Sequence, residues 1–423
     1  MTNDEYKNKL NKIEQLSKTY YNGVSEATDE EYDKLVTEVK KYEKENKLNS
    51  SVLNTVGYEV SDKSRSVRRN IKMYSLDNVF NEEELDKWIA SIKKKLNIED
   101  IDFVVSPKFD GCSLDCVYKD GILVLSSTRG NGDIGLNITD NAKTIATVPK
   151  ELKNNNTLLK LDCSIRGEVI VKKSIFKSIN SKLKSNGKTE FSNPRNYVSG
   201  SLNLLDSSIV KDRLLDFIPW GICGIKSKNY YEDMKLVYSL NGIIPYFTYF
   251  KLCKTAKEVK EHIQNIYSRR ENMSVNLDGC VVTLNNTELQ SKLGWTVKVP
   301  RFSIAYKFPP TEVSTKLIGV DNQVANTGTI TPVGLLQPVI LDGRTIKKVT
   351  LHNYNYILEK DIRVGDTVSI ILSGDVIPKI VRVFKDRRTG DEKKIELITK
   401  CPICSNEIIS KGAKLICVEC KKK

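Results

Sequence analysis

The sequence predicts an α+β multidomain chain: helical at its N-terminus, mixed in its centre, β-rich further on, and cysteine-bearing at its end. Three observations predict this order. Apolar residues recur at helical spacing early in the chain. From Phe103 onward they fall into short β runs cut by turn dipeptides. Four of the ten cysteines lie beyond residue 400.

Residues 1–62 read as helical. Thr28 and Glu31 form a capping-box pattern ahead of Tyr32, Leu35, Val36, Val39 and Tyr42, which share one helix face. Asn81 with Glu84 repeats the cap before Leu85, Trp88, Ile89, Ile92 and Leu96. Residues 63–312 mix strands and helices. Within them Lys119-Asp-Gly121 separates Leu114–Tyr118 from Ile122–Ser126, a strong hairpin signal. Residues 313–395 carry short β runs with turns at Asp342-Gly343, Gly365-Asp366 and Gly374-Asp375, the spacing of a small barrel or sandwich. Residues 396–423 hold Cys401-x₂-Cys404 and Cys417-x₂-Cys420. Two such knuckles supply four thiolates for tetrahedral Zn²⁺.

Composition narrows the partners. Hydrophobic residues make up 39% and charged residues 28%, enough to bury real cores. Lysine and arginine number 67 against 53 acids, a net charge of +14 that fits a polyanion, nucleic acid first. A lysine-rich surface can also follow from the bias toward Lys, Asn and Ile, so charge alone does not decide the matter. The polar Met1–Tyr6 start has no secretory h-region, and no apolar run approaches the ~18 residues of a membrane span. Cys112, Cys116, Cys163, Cys223, Cys253 and Cys280 are scattered and read as reduced, buried small hydrophobes. An intracellular, cytoplasmic protein with no membrane partner is expected, acting at a nucleoid or a viral replication site.

The chemistry centres on Ser106-Pro-Lys108-Phe-Asp110-Gly111, set between two β runs. A strand-held lysine amine can attack phosphorus once neutral and form a phosphoramidate. The string is short, and a surface lysine before a turn would look the same. Other segments add weight. Thr128-Arg-Gly-Asn-Gly-Asp133 is a glycine-rich basic turn that lets backbone approach phosphate. Arg166-Gly-Glu168, Asn193-Pro-Arg195-Asn196, Leu277-Asp278-Gly279 and Ala305-Tyr-Lys307-Phe308 follow in order.

In this order the segments resemble the nucleotidyltransferase superfamily of ligases and capping enzymes. With Ser75-Leu76-Asp-Asn-Val-Phe80, Leu351-His-Asn353 and Gly374-Asp-Val-Ile-Pro378, the chain is similar to the NAD-dependent DNA ligases over nearly its whole length. The resemblance implies a helical nicotinamide mononucleotide clamp, an ATP-grasp-like nucleotidyltransferase core, an OB-fold barrel and a zinc knuckle. It implies that Lys108 takes AMP from NAD, passes it to a 5′-phosphate at a nick in duplex DNA, and that the 3′-hydroxyl then closes the bond. Arg129, Glu168 and Lys307 would hold the adenylate ribose and phosphate, with Ser75 and Leu76 beside the nucleotide. Asp110 and Asp278 would lie near the nucleotide and Mg²⁺ or Mn²⁺. Tyr20, Asp29, Tyr32 and Asp33 would form the clamp, and the last three stand at helical i, i+3 and i+4 spacing. Clamp closure and barrel movement between steps are likewise implied.

The sequence also departs from that family. Ser106 and Thr283 stand where it has Glu and Lys facing the adenylate, and Tyr21 where it usually has His. Asn203, Asn326 and Ile371 replace arginines. The helix-hairpin-helix repeats and BRCT module that would follow the knuckle are expected to be absent, weakening DNA affinity. A monomer is expected, with room for a DNA-binding partner in place of those modules. The competing reading is a ligase-fold protein that binds nicked DNA or NAD without catalysis. An ATP- or GTP-using enzyme is disfavoured by the clamp and the knuckle.

Overall fold

The computed structural model describes residues 3–21, 35, 36, 38, 39, 42, 43, 45, 46, 48, 50, 63–191, 193–240, 242, 243, 246–309, 312–341, 344–373, 377–412 and 414–420. They form two compact units, one drawn from the described residues up to Phe308 and one from Pro309 onward.

The chain opens with helix α1 (Asn3–Tyr21). Ile13 and Leu16 are buried along it, and the Tyr6 hydroxyl donates to Glu43 Oε1 at 2.8 Å. The second helix, α2 (Glu82–Leu96), begins where the capping pattern places it. Asn81 Oδ1 accepts from the Glu84 amide at 2.9 Å, while Glu84 Oε2 accepts from the Phe80 amide at 2.8 Å. Leu85, Ile89 and Ile92 face inward.

Two sheets build the first unit. Its strands are β1 (Asp77–Val79), β2 (Phe103–Phe109), β3 (Cys112–Lys119), β4 (Ile122–Thr128), β5 (Cys163–Ile170), β6 (Asp216–Cys223), β7 (Lys251–Cys253), β8 (Leu277–Leu284) and β9 (Ser303–Lys307). One sheet has the order β7-β2-β8-β9-β1 and the other β6-β5-β3-β4. Strand alternation gives each sheet two chemically different faces. On the five-stranded sheet, Phe103, Val105, Cys280, Val282, Leu284, Ile304 and Tyr306 form a core with α2 and with the 256–269 helix. Its opposite face carries Ser106, Lys108, Thr283, Ser303 and Lys307. On the four-stranded sheet Leu114, Cys116, Ile165 and Val169 join the largest core. The other face carries Ser113, Asp115, Ser164, Arg166 and Glu168, as the register of β3 against β5 requires. The β3–β4 turn holds Asp120 at φ 49° and Gly121 at φ 77°, the positive pair that an Asp-Gly hairpin needs.

In the second unit β10 (Glu312–Val324), β11 (Thr329–Leu341), β12 (Arg344–Thr350), β13 (Thr367–Ser373) and β14 (Ile377–Val383) follow. They run in the order β10-β13-β14-β12-β11, and pairing of β10 with β11 closes a five-stranded barrel. Closure removes the exposed edges that a sandwich would leave. The hairpin of β15 (Ile408–Lys411) and β16 (Lys414–Cys417) continues the same sheet, since β16 pairs with β11 at Thr329 and Ile330. The cysteine segment is therefore joined to the barrel by strand hydrogen bonds.

Candidate active site

Lys108 lies near the end of β2, opposite Gly279 of β8, which in turn lies opposite Lys307 of β9. Two lysines thus flank a residue with no side chain. A Cβ at 279 would stand 2.2 Å from the Tyr306 carbonyl oxygen, so close strand approach requires glycine there. Leu277 pairs with Phe109 and Gly279 with Lys108, which leaves Asp278 as an extra, bulged residue. The bulge carries Asp278 Oδ2 to 2.5 Å from Lys108 Nζ. Asp278 Oδ1 is buried and has no hydrogen-bond partner among the described residues. Asp110, just past the strand, pairs with Arg195 Nη1 at 3.4 Å.

Arg195 is set by its own local signal. Asn193 caps the helix Pro194–Leu202 by accepting from the Asn196 amide at 2.7 Å, with Pro194 at the first turn. Across the site Glu168 accepts from Ser113 Oγ at 3.0 Å. Burial pushes the Glu168 carboxyl above the usual range, and Arg195, Lys108, the Ser113 hydroxyl and Arg129 oppose that rise. Three of those four opposing groups are cations around one carboxylate. Arg129 projects from the turn predicted to be phosphate-binding. Gly130 and Gly132 have φ of 56° and 94°, and Asn131 Oδ1 accepts from the Asp133 and Ile134 amides.

Of the residues singled out by sequence, Lys108 and Asp278 are in direct contact. Lys307 shares their rung, and Glu168 is electrostatically coupled to Lys108 and Arg129. Ser75 and Leu76 are half-buried, with the Ser75 amide donating to Lys298 at 3.0 Å. Ser106 and Thr283 are buried on the Lys108 face, and the Thr283 and Ser303 hydroxyls bond at 2.7 Å. Ile371 is buried, but its neighbours Ile370 and Leu372, not Ile371 itself, join the barrel core. Tyr20 lies within α1, but its side chain is outside the described residues, as are Asp29, Tyr32 and Asp33.

Sequence reasoning missed four supporting residues: Arg195 as the partner of Asp110, Ser113, Ser303, and the buried acid Asp115. Arg195 lay in the Asn193–Asn196 string without its partner being legible, and Asp115 gave a signal as a charge inside the otherwise apolar β3 run Leu114–Tyr118.

The four terminal sulfurs converge. Cys404 and Cys417 sulfurs lie 3.3 Å apart, Cys420 and Cys404 3.6 Å, and Cys401 and Cys420 3.7 Å. Tetrahedral Zn²⁺ with bonds of about 2.3 Å would set sulfurs about 3.8 Å apart, so the donor set fits that ion.

A strand-held lysine set among cations and acids on paired sheets, followed by a closed five-stranded barrel, is the arrangement of a nucleotidyltransferase core with an OB-fold domain. Comparison with known proteins agrees. The NAD-dependent DNA ligase adenylation domain matches residues 61–311, and the NAD-dependent DNA ligase OB-fold domain matches residues 314–392. The chain belongs to the NAD-dependent DNA ligase family. It is 40% identical to a DNA ligase of Sulfurovum sp. over 99% of its own length and 65% of that protein. It is 41% identical to one of Aliarcobacter butzleri, covering 99% of this chain and 64% of the relative. It is 39% identical to one of Campylobacter lari, covering 100% of this chain and 64% of the relative. The chain thus spans slightly less than two thirds of the length of these relatives.

Proposed function

We propose that the chain seals nicks in duplex DNA, using NAD as the source of AMP. The observation that carries this reading is the Lys108–Asp278 contact, set in one rung with Lys307 and facing Glu168. Lys108 Nζ attacks the α-phosphorus of NAD once Asp278 has taken its proton. The Nζ–P bond forms, and the bond to nicotinamide mononucleotide breaks. Lys307 and Arg129 offset charge that builds on the phosphate oxygens, and Glu168 orients the ribose. AMP then passes to the 5′-phosphate at the nick, and attack by the 3′-hydroxyl expels it.

Asp278 also carries an acidic oxygen without a partner among the described residues, a hard ligand suited to a divalent cation. Mg²⁺ or Mn²⁺ held there, with Asp110 nearby, would supply further charge stabilisation to the phosphate. Zn²⁺ on Cys401, Cys404, Cys417 and Cys420 would cross-link the terminal hairpin to its knuckle. Functionally the chain divides into 1–62 as the nicotinamide mononucleotide clamp, 63–312 for adenylation, 313–395 as the barrel and 396–423 as the zinc segment. Tyr20, Asp29, Tyr32 and Asp33 supply the clamp contacts in this proposal.

The uncharged pair Ser106 and Thr283 favours a second reading, in which nicked DNA or NAD is bound without sealing. One assay separates the two. Purified protein is incubated with a labelled nicked duplex, Mg²⁺, and either NAD or ATP. Sealing with NAD only, lost in Lys108→Ala, is the expected result. Sealing by Lys108→Ala would overturn the mechanism, and a shifted but unsealed duplex would support binding alone.

A further inference from the structure

Beside the candidate site lies a buried charge cluster that the lysine chemistry does not use. Asp115 sits between two arginines on the polar face of β3. Arg69 Nε lies 3.1 Å from its Oδ2, and Arg166 Nε lies 3.5 Å from its Oδ1. The side chains are only 4%, 3% and 7% exposed for Arg69, Asp115 and Arg166. Ser164 donates a further hydrogen bond to Asp115. One carboxylate cannot neutralise two guanidiniums, so their terminal nitrogens need further acceptors, and backbone carbonyls with one hydroxyl provide them.

The identity of those carbonyls gives the cluster its purpose. Arg69 donates to Arg129 O at 2.8 Å, to Gly132 O at 3.2 Å, to Ser127 Oγ at 3.1 Å and to Thr128 O. Arg166 donates to Lys72 O at 2.9 Å and to Ile71 O at 2.5 Å. The Met73 amide closes the circuit by donating to Gly132 O at 3.0 Å. Two segments are thus held by one ionic unit. The first is the turn bearing Arg129, and the second is the run leading into Ser75 and Leu76. Both carry candidate nucleotide contacts. The turn has two glycines at positive φ and would otherwise be easily deformed.

We propose that Arg69 is a positioning residue, which, oriented by Asp115, fixes the Arg129 turn in register for the dinucleotide. The proposal rests on the reading that this site binds NAD. Arg69 acts through Arg129, so its replacement should matter only while the Arg129 side chain is present. Lysine keeps the charge at 69 but cannot form the guanidinium fork that spans Asp115 and the 128–132 carbonyls.

The test uses the full-length protein and Arg69→Lys, with Asp115→Asn as the milder variant, and has two readouts. Hydrogen exchange is followed at the Gly132 and Met73 amides, with strand amides of β8 as the control. In Arg69→Lys the first two should exchange about tenfold faster or more while β8 is unchanged. The NAD concentration giving half-maximal AMP attachment is then measured in a double-mutant cycle with Arg129→Ala. Arg69→Lys alone should raise it about tenfold. In the Arg129→Ala background the further rise should stay within about twofold. Unchanged exchange, effects that multiply across the cycle, or loss of the whole fold in both variants would each overturn the proposal. The exchange readout does not depend on catalysis. Wild-type protein that attaches no AMP yet shows the Arg69 effect on exchange would therefore sink the ligase reading and leave the hold of Arg69 on the Arg129 turn standing.

Discussion

Gly279→Ala probes the rung on which the candidate site is built. The new methyl carbon would lie 2.2 Å from the Tyr306 carbonyl oxygen, 3.1 Å from its carbon and 3.2 Å from Lys307 Cα. Real Cβ atoms essentially never come within 3.0 Å of such neighbours, so β8 and β9 must part by at least about 0.8 Å. The obstacle is backbone in the middle of a sheet, not the flexible end of a side chain. Overpacking of this kind costs about 1–3 kcal/mol. In a domain of this size that is roughly 2–12 °C of melting temperature. The functional cost should be larger in proportion, because the strands being separated carry Asp278 and Lys307 against Lys108. A misplacement near 1 Å can slow a positioned reaction by about a hundredfold. Thermal unfolding and the single-turnover rate of AMP attachment measure the two effects. A Gly279→Ala protein that melts within about 1 °C of wild type and reacts within about twofold would refute the rung geometry.

Three further outcomes are expected. The folded Glu168 carboxyl titrates above the usual range, so its stabilising contribution is complete below the unfolded value and lost as pH rises through the folded one. Glu168→Gln should therefore melt higher than wild type at neutral pH, with the gap closing in acid, and a gap that widens in acid would contradict the burial argument. Thr283→Val removes one partner of the buried 2.7 Å hydroxyl pair and strands Ser303 Oγ, costing about 1–3 kcal/mol by chemical denaturation. An unchanged denaturation midpoint would show that the pair contributes nothing. Chelation of the Cys401, Cys404, Cys417 and Cys420 site should expose those thiols to a maleimide, as read by mass. Buried Cys116, its thiol pushed up to about 12 by burial, should stay unlabelled in the native fold. Labelling of the terminal cysteines before chelation, in protein with bound zinc shown by elemental analysis, would argue against a tetrathiolate site.

Much of this was legible in the sequence because the informative signals were local. The Asn81/Glu84 cap and the Asp120-Gly121 turn each depend on a few neighbouring residues, and each forms as written. The barrel was legible only as short strands with turns. Its closure depends on β10 meeting β11 along a long register, which no local pattern encodes. The same limit hid the joining of the zinc segment to β11. In the site, motif strings singled out Lys108, Glu168, Asp278 and Lys307, but not how they meet. The Lys108–Asp278 contact spans 170 residues of sequence and depends on a bulge. Arg69 escaped notice because its partners are mostly backbone carbonyls, which leave no trace in side-chain identity. The clamp residues Asp29, Tyr32 and Asp33 remain an expectation from resemblance.

The central claim is that Lys108 takes AMP from NAD, and intact-mass measurement tests it most directly. Protein is incubated with Mg²⁺ and NAD, or with Mg²⁺ and ATP, and weighed alongside Lys108→Ala. One AMP per chain, with NAD only and absent from Lys108→Ala, is the predicted result. No adduct from either nucleotide in folded, zinc-loaded protein, or an adduct that survives Lys108→Ala, would contradict it.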